Sequence, residues 1–140
     1  MKILIAVDGS ASTKRALAYL AAHDEWLGDH HRYTLLHVAP AVPPRAAAVV
    51  EKAALAAYYA DEVEKVFKPL RTFFVKQGLD ATYVSKVGHA ADVIVAHAAK
   101  TKPDLLLMGT HGHGALGKLI MGSVSTKVLA NTTVPVLLIR

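Results

Sequence analysis

Leu105-Leu-Leu-Met-Gly-Thr-His-Gly-His-Gly-Ala-Leu-Gly-Lys-Leu-Ile-Met-Gly-Ser-Val-Ser125 joins an apolar strand to a glycine-spaced loop and then to the start of a helix. Strand, loop and helix in that order form the repeating unit of a parallel α/β sheet. Gly109 and Gly112 let the chain turn sharply and approach a ligand where a Cβ would collide. Gly122 and Ser123 open the helix, whose first N–H groups have no partner inside it and whose dipole is positive at that end. A loop offering amides and hydroxyls but no carboxylate suits a phosphate. The charges agree. The last acid is Asp104, and residues 105–140 carry Lys118, Lys127 and Arg140 against none.

Two other motifs share this spelling and fail on context. Gly112-His-Gly114-Ala-Leu-Gly117 fits the GxGxxG of a dinucleotide fold. That fingerprint belongs after the first strand, with an acid about 20 residues later to hold a ribose. Gly112 to Lys118 fits GxxxxGK, but Leu119 stands where a P-loop needs Ser or Thr for magnesium.

Outward from this joint the chain alternates strand and helix. Lys2–Asp8 is a short apolar run with buried-strand character, followed by the cap-rich turn Gly9-Ser-Ala-Ser-Thr13 with Ser10 or Ser12 as N-cap. A helix to about Leu27 places Ala16, Leu17, Leu20 and Ala21 on one face. Tyr33–Val38 reads as a strand and Pro40–Pro44 as a stiff connector. Ala46–Gln77 is mostly helical, with Pro69 expected to kink or break it. Leu79–Val87 is a strand, Ala90–Lys100 a helix, Asp104–Met108 a strand, Ser123–Ala130 a helix and Val134–Ile139 the last strand. The pattern predicts one α/β domain over residues 1–140, an open five-stranded parallel sheet with helices on both faces, Rossmann-like. With strand order 3-2-1-4-5, the order reverses between the first and fourth strands, where such sheets bind ligands. Val7-Asp8-Gly9-Ser10 and Met108-Gly109 end those two strands.

Composition narrows the function classes. At 140 residues, 53% hydrophobic and mean hydropathy +0.32, the chain can bury a full core. Its net charge of +5 comes from 16 basic residues spread singly, and aromatics make up 6%. A mildly basic surface follows rather than a nucleic-acid site. Cysteine is absent, which removes disulfides, thiolate catalysis and Cys-ligated zinc. Ile3–Val7 is too short for a signal-peptide core, and no run has the length of a membrane span. A soluble cytoplasmic protein is expected.

The spacing Gly109-x2-Gly112-x9-Gly122-Ser123, with Val7-Asp8-Gly9-Ser10 before it and Val134-Pro-Val-Leu-Leu-Ile-Arg140 after it, resembles the universal stress protein family. The likeness extends over the whole chain, Gly88-His-Ala-Ala-Asp-Val-Ile94 included. The full glycine signature resembles the ATP-binding branch, so the resemblance implies ATP, or AMP or ADP after slow turnover, with or without magnesium. It implies that Asp8 contacts the adenosine end, Val38 walls the adenine, and Met108 and Gly109 flank the ribose. Gly112, Gly122, Ser123, Ser125 and the Val124 amide would hold the phosphates. Where relatives often carry Arg or another polar residue, this chain has His111 and His113. With His113 facing the phosphates, ATP would bind more tightly as pH falls from about 8 to 6. Residues 110–121 would order around the phosphates and act as the switch.

Other chemistry is thinner. His111-x-His113 is the best metal pair, but further ligands at zinc spacing are missing. His37 and His97 sit among apolar neighbours and read as packed. Neither Asp8-Gly-Ser10 nor Gly122-Ser-Val-Ser125 spells the GxSxG of a hydrolase. In the doublets Tyr58-Tyr59 and Phe73-Phe74 one ring of each faces the core. The apolar last strand would be an open sheet edge, which pairs with another chain unless blocked. The resemblance implies the same antiparallel homodimer through Val134–Ile139, breakable by Leu137→Lys or Ile139→Lys. A nucleotide-dependent sensor or signalling module with an unknown downstream partner is the leading expectation. A weak ATPase or self-phosphorylating protein using Ser123 or Ser125, and a ligand-free dimeric scaffold, are the alternatives.

Overall fold

The computed structural model describes residues 1–112 and 121–140. Its elements are β1 (Lys2–Ala6), α1 (Ala11–Ala21), β2 (Arg32–Ala39), α2 (Pro44–Ala48), α3 (Lys52–Lys76), β3 (Ala81–Val87), α4 (Ala90–Thr101), β4 (Leu105–Gly109), α5 (Ser123–Asn131) and β5 (Val136–Ile139). The strands form one sheet in the order β3-β2-β1-β4-β5, with every pairing parallel. The register sets Ala6 beside both Leu36 and Met108, so β1, β2 and β4 end level with one another.

Strand side chains alternate between faces, and each face has its own core. Ile3, Ile5 and Leu35 meet Leu17 and Leu20 of α1 and Phe67, Leu70 and Phe74 of α3. Leu4, Leu36 and Leu106 meet Ala91, Ile94 and Ala98 of α4 and Val128 of α5. The three central strands are buried on both sides, which explains why they are continuous apolar runs rather than alternating ones.

Helix α1 ends at Ala21, short of the expected Leu27. The His23 ring Nδ1 donates to the Tyr19 carbonyl at 2.8 Å, while the His23 amide donates back to Leu20 O. The helical ladder is thereby interrupted. Trp26 and Leu27 still pack on the first core, from a loop tied down by the Tyr33 hydroxyl, which donates to Trp26 O and accepts from Gly28 N–H.

The long helix also differs from expectation. Its break falls at Val49–Glu51, between α2 and α3. Pro44 starts α2, which buries none of its residues, so nothing holds it in line with α3. Pro69 does not end α3; the residue is exposed and the helix runs through it. On the solvent side a helix tolerates lengthened hydrogen bonds. Of the aromatic doublets, Phe74 is buried and Tyr58 exposed, while the Tyr59 hydroxyl accepts the Val42 amide at 2.8 Å.

Candidate functional site: the crevice between β1 and β4

Past β1, Gly9 at φ +75° turns the chain into α1, a conformation that costs any side-chain-bearing residue. Half-buried Asp8 is fixed there by a small ring of bonds. Its Oδ1 accepts from Ser10 N–H at 2.9 Å and from the Thr13 hydroxyl at 3.0 Å. The Asp8 amide donates back to Thr13 Oγ1 at 3.1 Å. Oδ2 faces Gly112, where a Cβ would come within 2.8 Å of it. The glycine loop can cross the acid because Gly112 has no side chain.

Gly109 also lines the cavity, and its lack of a side chain has a second reason. A Cβ there would collide with the side chain and backbone of Ser12. This close approach brings the first turn of α1 against the end of β4.

At α5, the first helical amide bond runs from Thr126 N–H to Gly122 O, and the N-cap Gly122 supplies no side-chain acceptor. The amides of Ser123, Val124 and Ser125 therefore precede the helical ladder. The Gly122 amide donates to Thr110 O at 2.6 Å. The buried Ser125 hydroxyl donates to the same carbonyl at 2.8 Å and fastens α5 to the end of β4. Ser123 is exposed. On the rim, Lys127 Nζ of α5 lies 2.9 Å from Asp92 Oδ1 of α4, and this contact holds the Asp92 carboxyl below its ordinary range.

These pieces enclose a cavity of about 400 Å³, within the range of small-molecule sites. Val7, Asp8, Val38, Met108, Gly109, Gly112, Gly122, Ser123, Val124 and Ser125 all line it, as the sequence led us to expect. Gly9 and Ser10 do not line it. Gly9 makes the turn, and Ser10 occupies the N-cap position of α1 without a capping bond, its hydroxyl buried and unpartnered. His113 and residues 114–120 of the expected switch lie outside the described residues.

Sequence reasoning missed Ser12, Thr13, His37, Ala90 and Ile94 in the lining. Ala90 and Ile94 could have been found from their four-residue spacing at the start of α4, since every helix that follows a strand begins at this end of the sheet. His111 also lines the cavity, and its Nδ1 is 2.8 Å from Thr110 Oγ1. Among the described residues no cluster of His, Cys, Asp or Glu could hold a metal. Packed His97 has its pKa lowered by burial and by nearby Lys86 and Lys100. Among the described residues no helix is long and apolar enough to cross a membrane.

A parallel sheet open at its switch point, with helix N-termini converging on one crevice, defines a doubly wound α/β fold. The chain belongs to the universal stress protein family, whose model matches residues 1–140. It is 36% identical over 138 residues to a universal stress protein of Thermus aquaticus, covering 99% of this chain and 97% of that one. It is 34% identical over 139 residues to one from Synechocystis, covering 99% of this chain but 42% of that longer protein. A universal stress protein family member from Arabidopsis thaliana, solved with AMP bound, shares the fold at a TM-score of 0.69 and 20% identity, covering 99% of this chain and 90% of that one.

Proposed function

We propose that the crevice binds an adenine nucleotide and that the protein works in stress response as a nucleotide-dependent sensor or signalling module. The observation that carries this reading is the convergence of an apolar slot and an anion-receptive helix end on one cavity. Leu36, Val38, Pro40, Ala90 and Ile94 line the slot, which suits a flat base. Met108 and Gly109 follow, where the ribose lies. The uncapped α5 amides face the polar end and receive the phosphates. The AMP-bound state of the Arabidopsis fold relative supports adenylates as the first ligands to try. Asp8 is the sole carboxylate among the described lining residues, and its Oδ1 already accepts two bonds. Magnesium would therefore arrive chelated by the phosphates.

Mass spectrometry of nucleotide released from the purified protein tests the reading, with calorimetry of ATP, ADP and AMP on stripped material. Recovery of adenylate, or saturable uptake, is expected. A clean apo preparation that takes up none at millimolar concentration overturns it.

One observation favours a second reading. If ATP is also cleaved with transfer to the protein, Ser123 is the acceptor, because it is exposed on the cavity while the Ser125 hydroxyl is buried and bonded to Thr110 O. Radiolabel from γ-labelled ATP that survives Ser125→Ala but not Ser123→Ala would establish it.

The homodimer through β5 belongs to the same proposal. It is supported by the edge position of β5 and by the partly open Val136, Leu137 and Leu138. Ile139 is unsuitable as a probe because its side chain sits in the first core. Leu137→Lys is expected to give a monomer in light scattering; an unchanged dimer mass would point to another interface.

A further inference from the structure

The sheet has a second edge, β3, which at seven residues is longer than the four-residue β5. In a parallel ladder, alternate residues turn their N–H and C=O first to one neighbouring strand and then to the other. The Gly88 amide donates to Ala39 O of β2. Val84 and Lys86 therefore face β2 in the same way, and Tyr83, Ser85 and Val87 turn their amides and carbonyls to the open side. Ser85, Lys86 and Val87 are exposed, and no proline interrupts the strand.

The two faces that flank this edge differ. On the α3 side, Ala81 and Tyr83 pack on the first core, and Ser85 and Val87 share their face by alternation. There Tyr59, Ala60 and Val63 of α3 meet the end of β3 around an open depression of about 320 Å³. The acids next along α3, Asp61, Glu62 and Glu64, are paired with Lys65 and Arg71. On the α4 side, Val84 packs on the second core, and Lys86 shares its face. Burial, then Lys86 and Lys100, hold the His97 pKa below the usual histidine value, so both ammonium groups lie near that ring. Among the described residues neither lysine is ion-paired.

A further strand laid along β3 would complete the hydrogen bonds of Tyr83, Ser85 and Val87. Its side chains would alternate between the apolar depression and the two lysines. We propose that β3 is a docking edge for an extended segment of another protein, alternating aliphatic and acidic residues, which adds as a further strand. A second copy of this chain does not supply that pattern, because neither β3 nor β5 contains an acid. A lysine on an edge strand discourages pairing with its like, and the same charge accepts an acidic strand. The depression and the crevice share no described lining residue, so the docking edge stands or falls independently of the adenylate reading.

The test uses the full chain and a synthetic peptide of alternating glutamate and valine, end-blocked and matched to β3 in length. Nitrogen-15 spectra and hydrogen exchange follow each amide. Those of Tyr83, Ser85 and Val87 are expected to shift and gain protection, while those of Val84 and Lys86, already bonded to β2, keep theirs. A peptide with lysine in place of glutamate should bind about tenfold more weakly, as several exposed pairs turn from attraction to repulsion. An N-methylated peptide, which cannot donate to the edge, should not bind. Lys86→Glu should weaken the glutamate peptide and strengthen the lysine peptide, a reversal that a misfolded variant could not produce. Equal affinity for the two peptides, changes confined to β5 or the crevice, or no change at millimolar peptide overturns the proposal. So does protection of the same amides that rises with protein concentration alone, which assigns the edge to a second copy.

Discussion

Of the helix N-termini that reach the cavity, those of α1 and α5 are dressed in opposite ways. At α1, Asp8 places a carboxylate beside the first turn and holds it with Ser10 and Thr13. The positive end of that helix is already answered by an acid. At α5 the hydroxyls of Ser125 and Thr126 point backward, donating to the carbonyls of Thr110 and Gly122, and leave the leading amides without a side-chain acceptor. Equal backbone dipoles thus become an acidic side and an amide side. A ligand with hydroxyl donors at one end and an anion at the other is oriented by that difference alone.

The largest effect should come from separating the two sides. Gly109→Val drives a side chain into Ser12, and overpacking where α1 meets β4 is expected to cost about 3 kcal/mol in urea denaturation. A loss near zero would mean that the two sides do not depend on that contact. Next comes the amide side. Ser123→Pro removes one leading N–H at a position where proline is compatible with a helix, and the extended Gly122, at ψ 166°, suits the residue before proline. ATP affinity should fall by about 1.5–3 kcal/mol, the worth of a hydrogen bond to a charged group, while adenosine binding stays unchanged. An equal loss for adenosine would place the phosphates elsewhere.

On the acidic side, Asp8→Asn keeps an acceptor for Ser10 and Thr13 but removes the charge. Adenosine affinity should drop by about 1 kcal/mol, and the gain on going from adenosine to ATP should not shrink. A smaller gain would reverse the polarity argued here. The smallest effect is expected at the rim. Lys127→Ala breaks an exposed pair with Asp92 and should leave the denaturation midpoint at pH 7 unmoved. Because Lys127 lowers the Asp92 pKa below its ordinary 3.8, any stability the pair adds is present above that value. It is lost as pH falls through the depressed one. A variant that differs from wild type more at acid pH than at neutral pH would contradict that sign.

The strands and the glycine joints that end them were legible because continuous apolar runs and glycines are local signals; the order that sets Val7-Asp8 beside Met108-Gly109 was a supposition that the sheet bears out. The helix ends were less legible. Side-chain bonds from His23 to Tyr19 O and from Tyr33 to Trp26 O close α1 early, and propensity carries no trace of them. Pro69 leaves α3 unbroken for a related reason, since a proline's effect depends on which face of the helix it occupies. At the site, the Ser125 hydroxyl donates to the end of β4. Only the packing of α5 on that strand could reveal this.

Hydrophobic period and glycine spacing by themselves determined an alternation of strands and helices and a loop suited to an anion, because each depends on neighbours a few residues apart. The tertiary structure decided that Gly109 lies against Ser12 of α1, and that Ser123 is exposed while Ser125 is buried. It also set the His37 ring against the Val7 carbonyl. Those contacts join residues 15 to 97 positions apart, and a hydrogen bond or steric clash acts only once folding has brought its partners together.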